Sequence, residues 1–179
     1  MTTPFIENWS LTSIDVDTAN ACYASVDGVL FNKSRTTLLR YPPAKEDAEY
    51  AIPSSVTTIE RVAFGNCTNL ISMAIPEGVT SIGYEAFSQC YNLTSVTIPG
   101  SVTSIDRYTF NFCNILASVT ISEGVTSIDT GAFDSCYSLT SVTIPSSISS
   151  IGDQVFNDCF NLTEINFSGE PPTFAEDAY

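Results

Sequence analysis

The chain has no histidine, and only six basic residues stand against twenty acidic ones. Without histidine, no Ser-His or Cys-His pair can activate a nucleophile, and the commonest metal ligand is missing. The shortage of lysine and arginine leaves a formal net charge of −14, and so acidic a surface repels phosphate backbones, which excludes nucleic acid as the expected partner. No apolar run approaches the roughly 20 residues of a membrane helix, so no membrane insertion is expected. There is no glycine-rich phosphate loop and no lysine set among apolar residues, so catalysis has little to draw on and no cofactor is expected. The opening stretch MTTPFIENW also lacks the basic region and apolar core of a signal peptide.

What the sequence does have is a period. Cys67, Cys90, Cys113, Cys136 and Cys159 are spaced 23 residues apart, and Phe64, Phe87, Phe110, Phe133 and Phe156 repeat at the same interval. Five full copies begin at Ile52, Ile75, Ile98, Ile121 and Ile144; the second reads IPEGVTSIGYEAFSQCYNLTSVT. Self-similarity at this length marks a solenoid, whose units bury their apolar faces only against their neighbours. A partial copy starts at Phe167, with Phe174, Ala178 and Tyr179 on the positions of Ile82, Ala86 and Phe87. At the other end MTTPFIENWSLTSIDV reads as the tail of an earlier unit, with Phe5 on the Phe87 position. Because both ends interrupt a repeat, the chain reads as a segment of an exported protein and not as a cytosolic one.

Within a unit, Leu93, Val96 and Ile98 follow the L-x-x-L-x-L spacing of a strand lining one face of the coil. Pro76, Glu77 and Gly78 suit a turn, and the β-branched segment Val79–Ile82 after them suits a second strand. Ala86, Phe87 and Cys90 fall at helix-like intervals, which predicts a short helix over Tyr84 to Cys90 that is stable only inside the stack. Between Ser25 and Pro43 the runs Val29–Phe31 and Thr37–Leu39 flank the polar turn Asn32, Lys33 and Ser34, a β-hairpin pattern.

The unit pattern resembles the BspA-like leucine-rich repeat family, whose copies look like IPxxVTSIGxxAFxxCxxLTSVT, and the match runs over Ile52 to Asn166. The expected fold is an α+β repeat solenoid, a right-handed leucine-rich-repeat coil with short strands, short helical turns and an N-terminal β-hairpin insertion. The expected organisation is a single domain over 1–179: a partial repeat at 1–24, the hairpin elaboration at 25–51, five repeats at 52–166 and a partial repeat at 167–179. The resemblance implies a non-enzymatic adhesion or protein-binding module at a cell surface or in a secreted protein, with a host or matrix protein as ligand. A structural spacer, or recognition of a glycan or ordered surface by serine and threonine rows, are the alternatives. Exposed end coils leave monomer and weak dimer both open.

Candidate sites follow from the repeat. The cysteine ladder reads first as small apolar groups packed under the helix. Coil spacing permits cross-coil disulfides, but five identical sites cannot all pair. A line of cysteines without histidine does not make a tetrahedral metal site; Cys22 lies outside the ladder. The phenylalanine ladder reads as core. Asn69, Asn92 and Asn161 share a row with Ile115 and Ser138 and suit side-chain bonds to backbone in a turn. The exposed strand positions, Ser95 and Thr97, Ser118 and Thr120, Ser141 and Thr143, with Glu164 in the last copy, form the candidate partner-binding face; plain solubility and β-propensity explain them equally well. Tyr91, Tyr137 and Phe160 share a second row, where packing against the adjoining turn is preferred over an interface role. Asp129 and Asp153 stand at turns of adjacent copies, where acids suit a helix start better than acid–base work. Asp15, Asp17 and Asn20 bring oxygens together but lack a calcium-loop signature.

Overall fold

The protein is described by a computed structural model covering Phe5 and residues 7–175; Ala178 and Tyr179 of the partial copy lie outside the described residues. A meander comes first, β1 (Tyr23–Val26), β2 (Val29–Asn32) and β3 (Thr37–Arg40). Twelve short strands follow among the described residues: β4 (Glu49–Ala51), β5 (Thr58–Ile59), β6 (Ser72–Ala74), β7 (Ser81–Ile82), β8 (Ser95–Ile98), β9 (Ser104–Ile105), β10 (Ser118–Ile121), β11 (Ser127–Ile128), β12 (Ser141–Ile144), β13 (Ser150–Ile151), β14 (Glu164–Phe167) and β15 (Thr173–Phe174). The even-numbered strands from β4 onward form one row and the odd-numbered strands from β5 a second. Pairing within each row is parallel and in register, Ser95 beside Ser118 and Ile105 beside Ile128, because every coil consumes the same 23 residues.

Strand alternation does what the sequence pattern requires. In β8, β10 and β12 the Ser and Thr point out while Val and Ile are buried, so each coil contributes a half-buried surface of β-branched residues. The core is one continuous column. At its centre the rings of Phe64, Phe87, Phe110, Phe133 and Phe156 stack with centroids 5.0, 5.1, 5.4 and 5.8 Å apart. Each fully buried ring contributes about 1.5–3 kcal/mol by burial, and each stacked pair adds about 0.5–1.5 kcal/mol.

The expected helix is absent, which makes the fold a β-solenoid and removes the α+β and helical-turn parts of the expectation. The segment from Gly83 to Cys90 is a chain of turns. Glu85 and Gln89 both take positive φ, 54° and 61°, and the equivalent pairs Tyr108 and Phe112, and Gln154 and Asp158, do the same. A left-handed residue every fourth position breaks any α-helical run. The hydrogen bonds show what replaces the helix. Ala86, Ser88 and Cys90 donate backwards to Gly83, Glu85 and Phe87 within the turn, whereas Glu85, Phe87 and Gln89 donate to Arg107, Thr109 and Asn111 of the next coil. The backbone donors are thus satisfied alternately within and between coils, as buried amides must be.

The hairpin expected around Asn32 is present and larger than the sequence pattern suggests. β1 joins β2 through Asp27 and Gly28, both at positive φ, which suits a tight two-residue connection. The Asn32 side chain closes the next turn by accepting from the amides of Thr36 and Thr37. β3 then runs parallel to β5, so the meander extends the second row. Immediately after β3, Tyr41 stacks on Phe64 at 5.3 Å and donates its amide to Ala63. It stands 23 residues before Phe64 and forms the first ring of the aromatic column.

Candidate functional site

The first row presents a regular exposed surface built on the strand pairs β4–β6, β8–β10 and β12–β14. Glu49, Ser72, Ser95, Ser118, Ser141 and Glu164 occupy one lane, and Ala51, Ala74, Thr97, Thr120, Thr143 and Asn166 occupy the lane beside it. Neighbouring strands in such a row lie about 4.8 Å apart. The structure therefore brings Ser95, Thr97, Ser118 and Thr120 together on one strand pair, and Ser141, Thr143 and Glu164 on the next. A carboxylate closes each end of the serine lane. Glu49 was not singled out in the sequence, although it stands 23 residues before Ser72.

The hydroxyls of this face differ from a second set that ties coil to coil. Thr57, Thr80, Thr94, Thr126, Ser149 and Thr163 each donate to a backbone carbonyl of the preceding coil. Ser95, Thr97, Ser118, Thr120, Ser141 and Thr143 are exposed, and their hydroxyls meet no partner among the described residues. The first group holds coils together. The second is free to bond outward.

Along one edge of the coil, Tyr137 and Phe160 stack at 5.7 Å with an interplanar angle of 9°. Phe160 is 78% exposed, an unusual position for so large a ring. Tyr91 does not join them, since Asn114 occupies the intervening coil; it is half-buried and its hydroxyl donates to Gln89. The asparagine row behaves as a set of cross-coil ties: Asn69, Asn92 and Asn161 donate to the carbonyls of Lys45, Thr68 and Tyr137. Where Ser138 takes the place of Asn, its backbone amide donates to the Asn114 carbonyl instead, and Ile115 is left exposed.

The ladder cysteines are free and buried, and Cys22 is free and exposed. They are more than small apolar groups. The thiols of Cys90, Cys113, Cys136 and Cys159 lie 3.1 to 3.3 Å from the carbonyl oxygens of Phe64, Phe87, Phe110 and Phe133 in the preceding coil. Burial pushes the thiols of Cys67, Cys113, Cys136 and Cys159 up, away from the thiolate a nucleophile needs. Of the oxygens considered for calcium, Asp17 accepts from the Ala19 amide, Asn20 from the amides of Cys22 and Tyr23, and Asp15 from the Ser13 hydroxyl. Asp129 pairs with Arg107 at 3.4 Å and accepts from the Thr130 amide, so it serves its own turn. Among the described residues no three His, Cys, Asp or Glu side chains converge as a metal site would require.

A shallow cleft of about 410 Å³ opens over the second row, lined by Ser104, Ser127, Asp129, Ser150 and Phe174 among others. Ser127 donates to Ser104 there at 3.0 Å. None of the residues proposed from the sequence as partner-binding lies in it.

Residues 47–178 match the model of the BspA type leucine rich repeat region, in 6 copies. Among solved structures, a leucine rich cell surface protein from Faecalibacterium prausnitzii is 36% identical, with a TM-score of 0.85 over 90% of this chain and 43% of that one. A leucine-rich repeat protein from Eubacterium ventriosum is 31% identical, with a TM-score of 0.83 over 88% of this chain and 43% of that one. The pneumococcal vaccine antigen PcpA is 27% identical, with a TM-score of 0.74 over 89% of this chain and 40% of the antigen. The chain thus spans less than half the length of each of these structures. No curated protein matches it significantly.

Proposed function

The chain belongs to the BspA-type leucine-rich repeat family, and we propose that it is a non-enzymatic protein-interaction module of a cell-surface or secreted protein, presenting the first row to a large protein ligand such as a host or matrix protein. The observation that carries this reading is the row of unpartnered hydroxyls at Ser95, Thr97, Ser118, Thr120, Ser141 and Thr143, held in parallel register on a rigid core. Extended faces of stacked repeats suit many-point contact with a large surface. Serine and threonine contribute adaptable hydrogen bonds there, and the Tyr137–Phe160 pair adds aromatic contact area at the edge. The surface location rests on the likeness to a leucine rich cell surface protein.

Immobilised matrix proteins and a glycan array, probed with this chain and with a variant carrying Lys at Ser95, Thr97, Ser118 and Thr120, test the reading. Binding to a protein that is lost in the variant supports it. Equal binding by both chains removes the first row as the interface. Binding confined to glycans transfers the face to carbohydrate recognition, and no binding by either chain leaves the spacer role. The last coil exposes Ile165, Phe167 and Phe174, whose counterparts Val142, Ile144 and Ile151 are buried one coil earlier. Monomer and weak dimer through the end coils both stand in the proposal, and sedimentation over a concentration series decides between them.

A further inference from the structure

Arg40 closes β3 at a position where the later coils carry small, buried side chains, Ala63, Ala86, Thr109 and Ala132. A long cationic side chain has taken the place of an alanine. It is only 4% exposed, and Nη1 donates to the Val62 carbonyl. Nε and Nη2 are buried and have no hydrogen-bond partner. The salt bridges among the described residues, Lys45 with Asp47 and Arg107 with Asp129, do not involve it.

A buried cation without a counter-charge costs several kcal/mol, and an arginine cannot escape that cost by losing its proton. The unfilled atoms are also a matched set. Nε and Nη2 form one side of the guanidinium fork, two parallel N–H donors at the spacing of the two oxygens of a carboxylate. We infer that the Nε–Nη2 edge of Arg40 is a binding site for a carboxylate, received side-on in two parallel hydrogen bonds. The Trp9 ring, centred 6.0 Å from the guanidinium carbon, lies over it and is 43% exposed. Its segment is tied by the Leu11 amide to Asn8 and by the Ala44 amide to Leu11, so the ring can be displaced when the carboxylate seats without disturbing a strand.

The carboxylate has two sources, a small free acid or an acidic side chain of a second copy. Trp9 is the single tryptophan, so its fluorescence reports on this site alone. The full chain is titrated with sodium acetate against sodium chloride at matched ionic strength, with melting temperature followed in parallel. A free acid gives a saturable fluorescence change in acetate only, and a melting temperature raised by roughly 5 to 10 °C at acetate one hundredfold above half-saturation. A second copy gives a fluorescence change that grows with protein concentration in chloride, together with a rise in sedimentation coefficient. Arg40→Met abolishes whichever response is seen. Arg40→Lys keeps the charge without the fork, weakens the response at least tenfold, and carries the test if the Met variant fails to fold. Identical curves in acetate and chloride with no concentration dependence overturn the assignment, as does an undiminished response in Arg40→Lys.

Discussion

The thiol of Cys113 lies 3.3 Å from the carbonyl oxygen of Phe87, one coil back and 26 residues earlier. That oxygen already accepts from the Cys90 amide. The ladder cysteine therefore ties two consecutive coils beneath the aromatic column. Cys113→Ala leaves a small void and removes a donor, which is expected to cost about 1–2 kcal/mol in chemical denaturation. The same burial predicts thiol reactivity: in the native protein only Cys22, the exposed cysteine, should react promptly with an aromatic disulfide reagent. Prompt release from two or more thiols before unfolding contradicts this arrangement.

Alkaline pH should loosen the column. Burial pushes the Cys159 thiol from its ordinary 9.0 to about 11, and it raises Tyr50 from 10.0 to about 12, aided by Asp27 and Asp47. Cys113 and Cys136 are raised as well. A group whose folded pKa exceeds its unfolded one binds its proton more tightly when folded, so its contribution is complete below the unfolded value and is lost as pH rises through the folded one. The urea midpoint should therefore hold from pH 7 to about 9 and fall between about 9 and 12. A flat midpoint across that interval shows that these groups titrate alike in both states.

Phe110 and Phe156 occupy equivalent positions in different company. Phe110 is fully buried between Phe87 and Phe133, whereas Phe156 is half-buried and, among the described residues, stacks on Phe133 alone. Phe110→Ala is expected to cost about 3–5 kcal/mol, the range for deleting a buried aromatic side chain. Phe156→Ala should cost less than half as much and broaden the transition, since end coils of a repeat stack can open separately. Equal losses at the two sites would mean that the column is not what couples the coils.

Two other features of the column bear on how far the sequence could be read. The Phe and Cys ladders announce the period directly, because one inward position per coil tolerates only one shape. Tyr41 belongs to the same ladder, but its coil carries Ala44 and Asp47 where later coils carry Cys67 and Leu70. Only the interval to Phe64 betrays it. The turn segment was misread for a different reason: Ala86, Phe87 and Cys90 point inward at spacings a helix shares with a tight series of turns. The discriminating signal, positive φ at Glu85 and Gln89, has no residue-type signature, since neither is glycine. On the first row, the exposed lanes were legible from alternation, whereas the lack of hydroxyl partners required coordinates.

Gly124 and Gly100 meet at a close approach of adjacent coils. A Cβ on Gly124 would lie 2.4 Å from the Gly100 carbonyl oxygen, and Gly124 has φ of 109°, a region side-chain-bearing residues rarely enter. A Cβ on Gly100 would in turn lie 2.0 Å from the Glu123 oxygen. Gly124→Ala must both strain its own backbone and push the coils apart, and is expected to lose more than about 2 kcal/mol. Gly78, whose nearest prospective contact is 3.4 Å, serves as the control: Gly78→Ala should fall within about 1 kcal/mol of the parent. Calorimetry on the pair separates coil contact from a general effect of removing glycine.

Phe160 and Tyr91 share a register position and differ in what holds them. Tyr91 is half-buried and anchored by its hydroxyl to Gln89, while Phe160 leans on Tyr137 with most of its ring in water. Packing therefore accounts for Tyr91 and leaves the exposure of Phe160 without a structural use. Tyr91→Ala and Tyr137→Ala should lower the melting temperature, whereas Phe160→Ala removes one exposed stacking contact and should cost at most about 1 kcal/mol. If the edge takes part in binding, Phe160→Ala weakens capture of a matrix-protein ligand at least tenfold while stability holds. Unchanged capture confines the interface to the serine and threonine lanes.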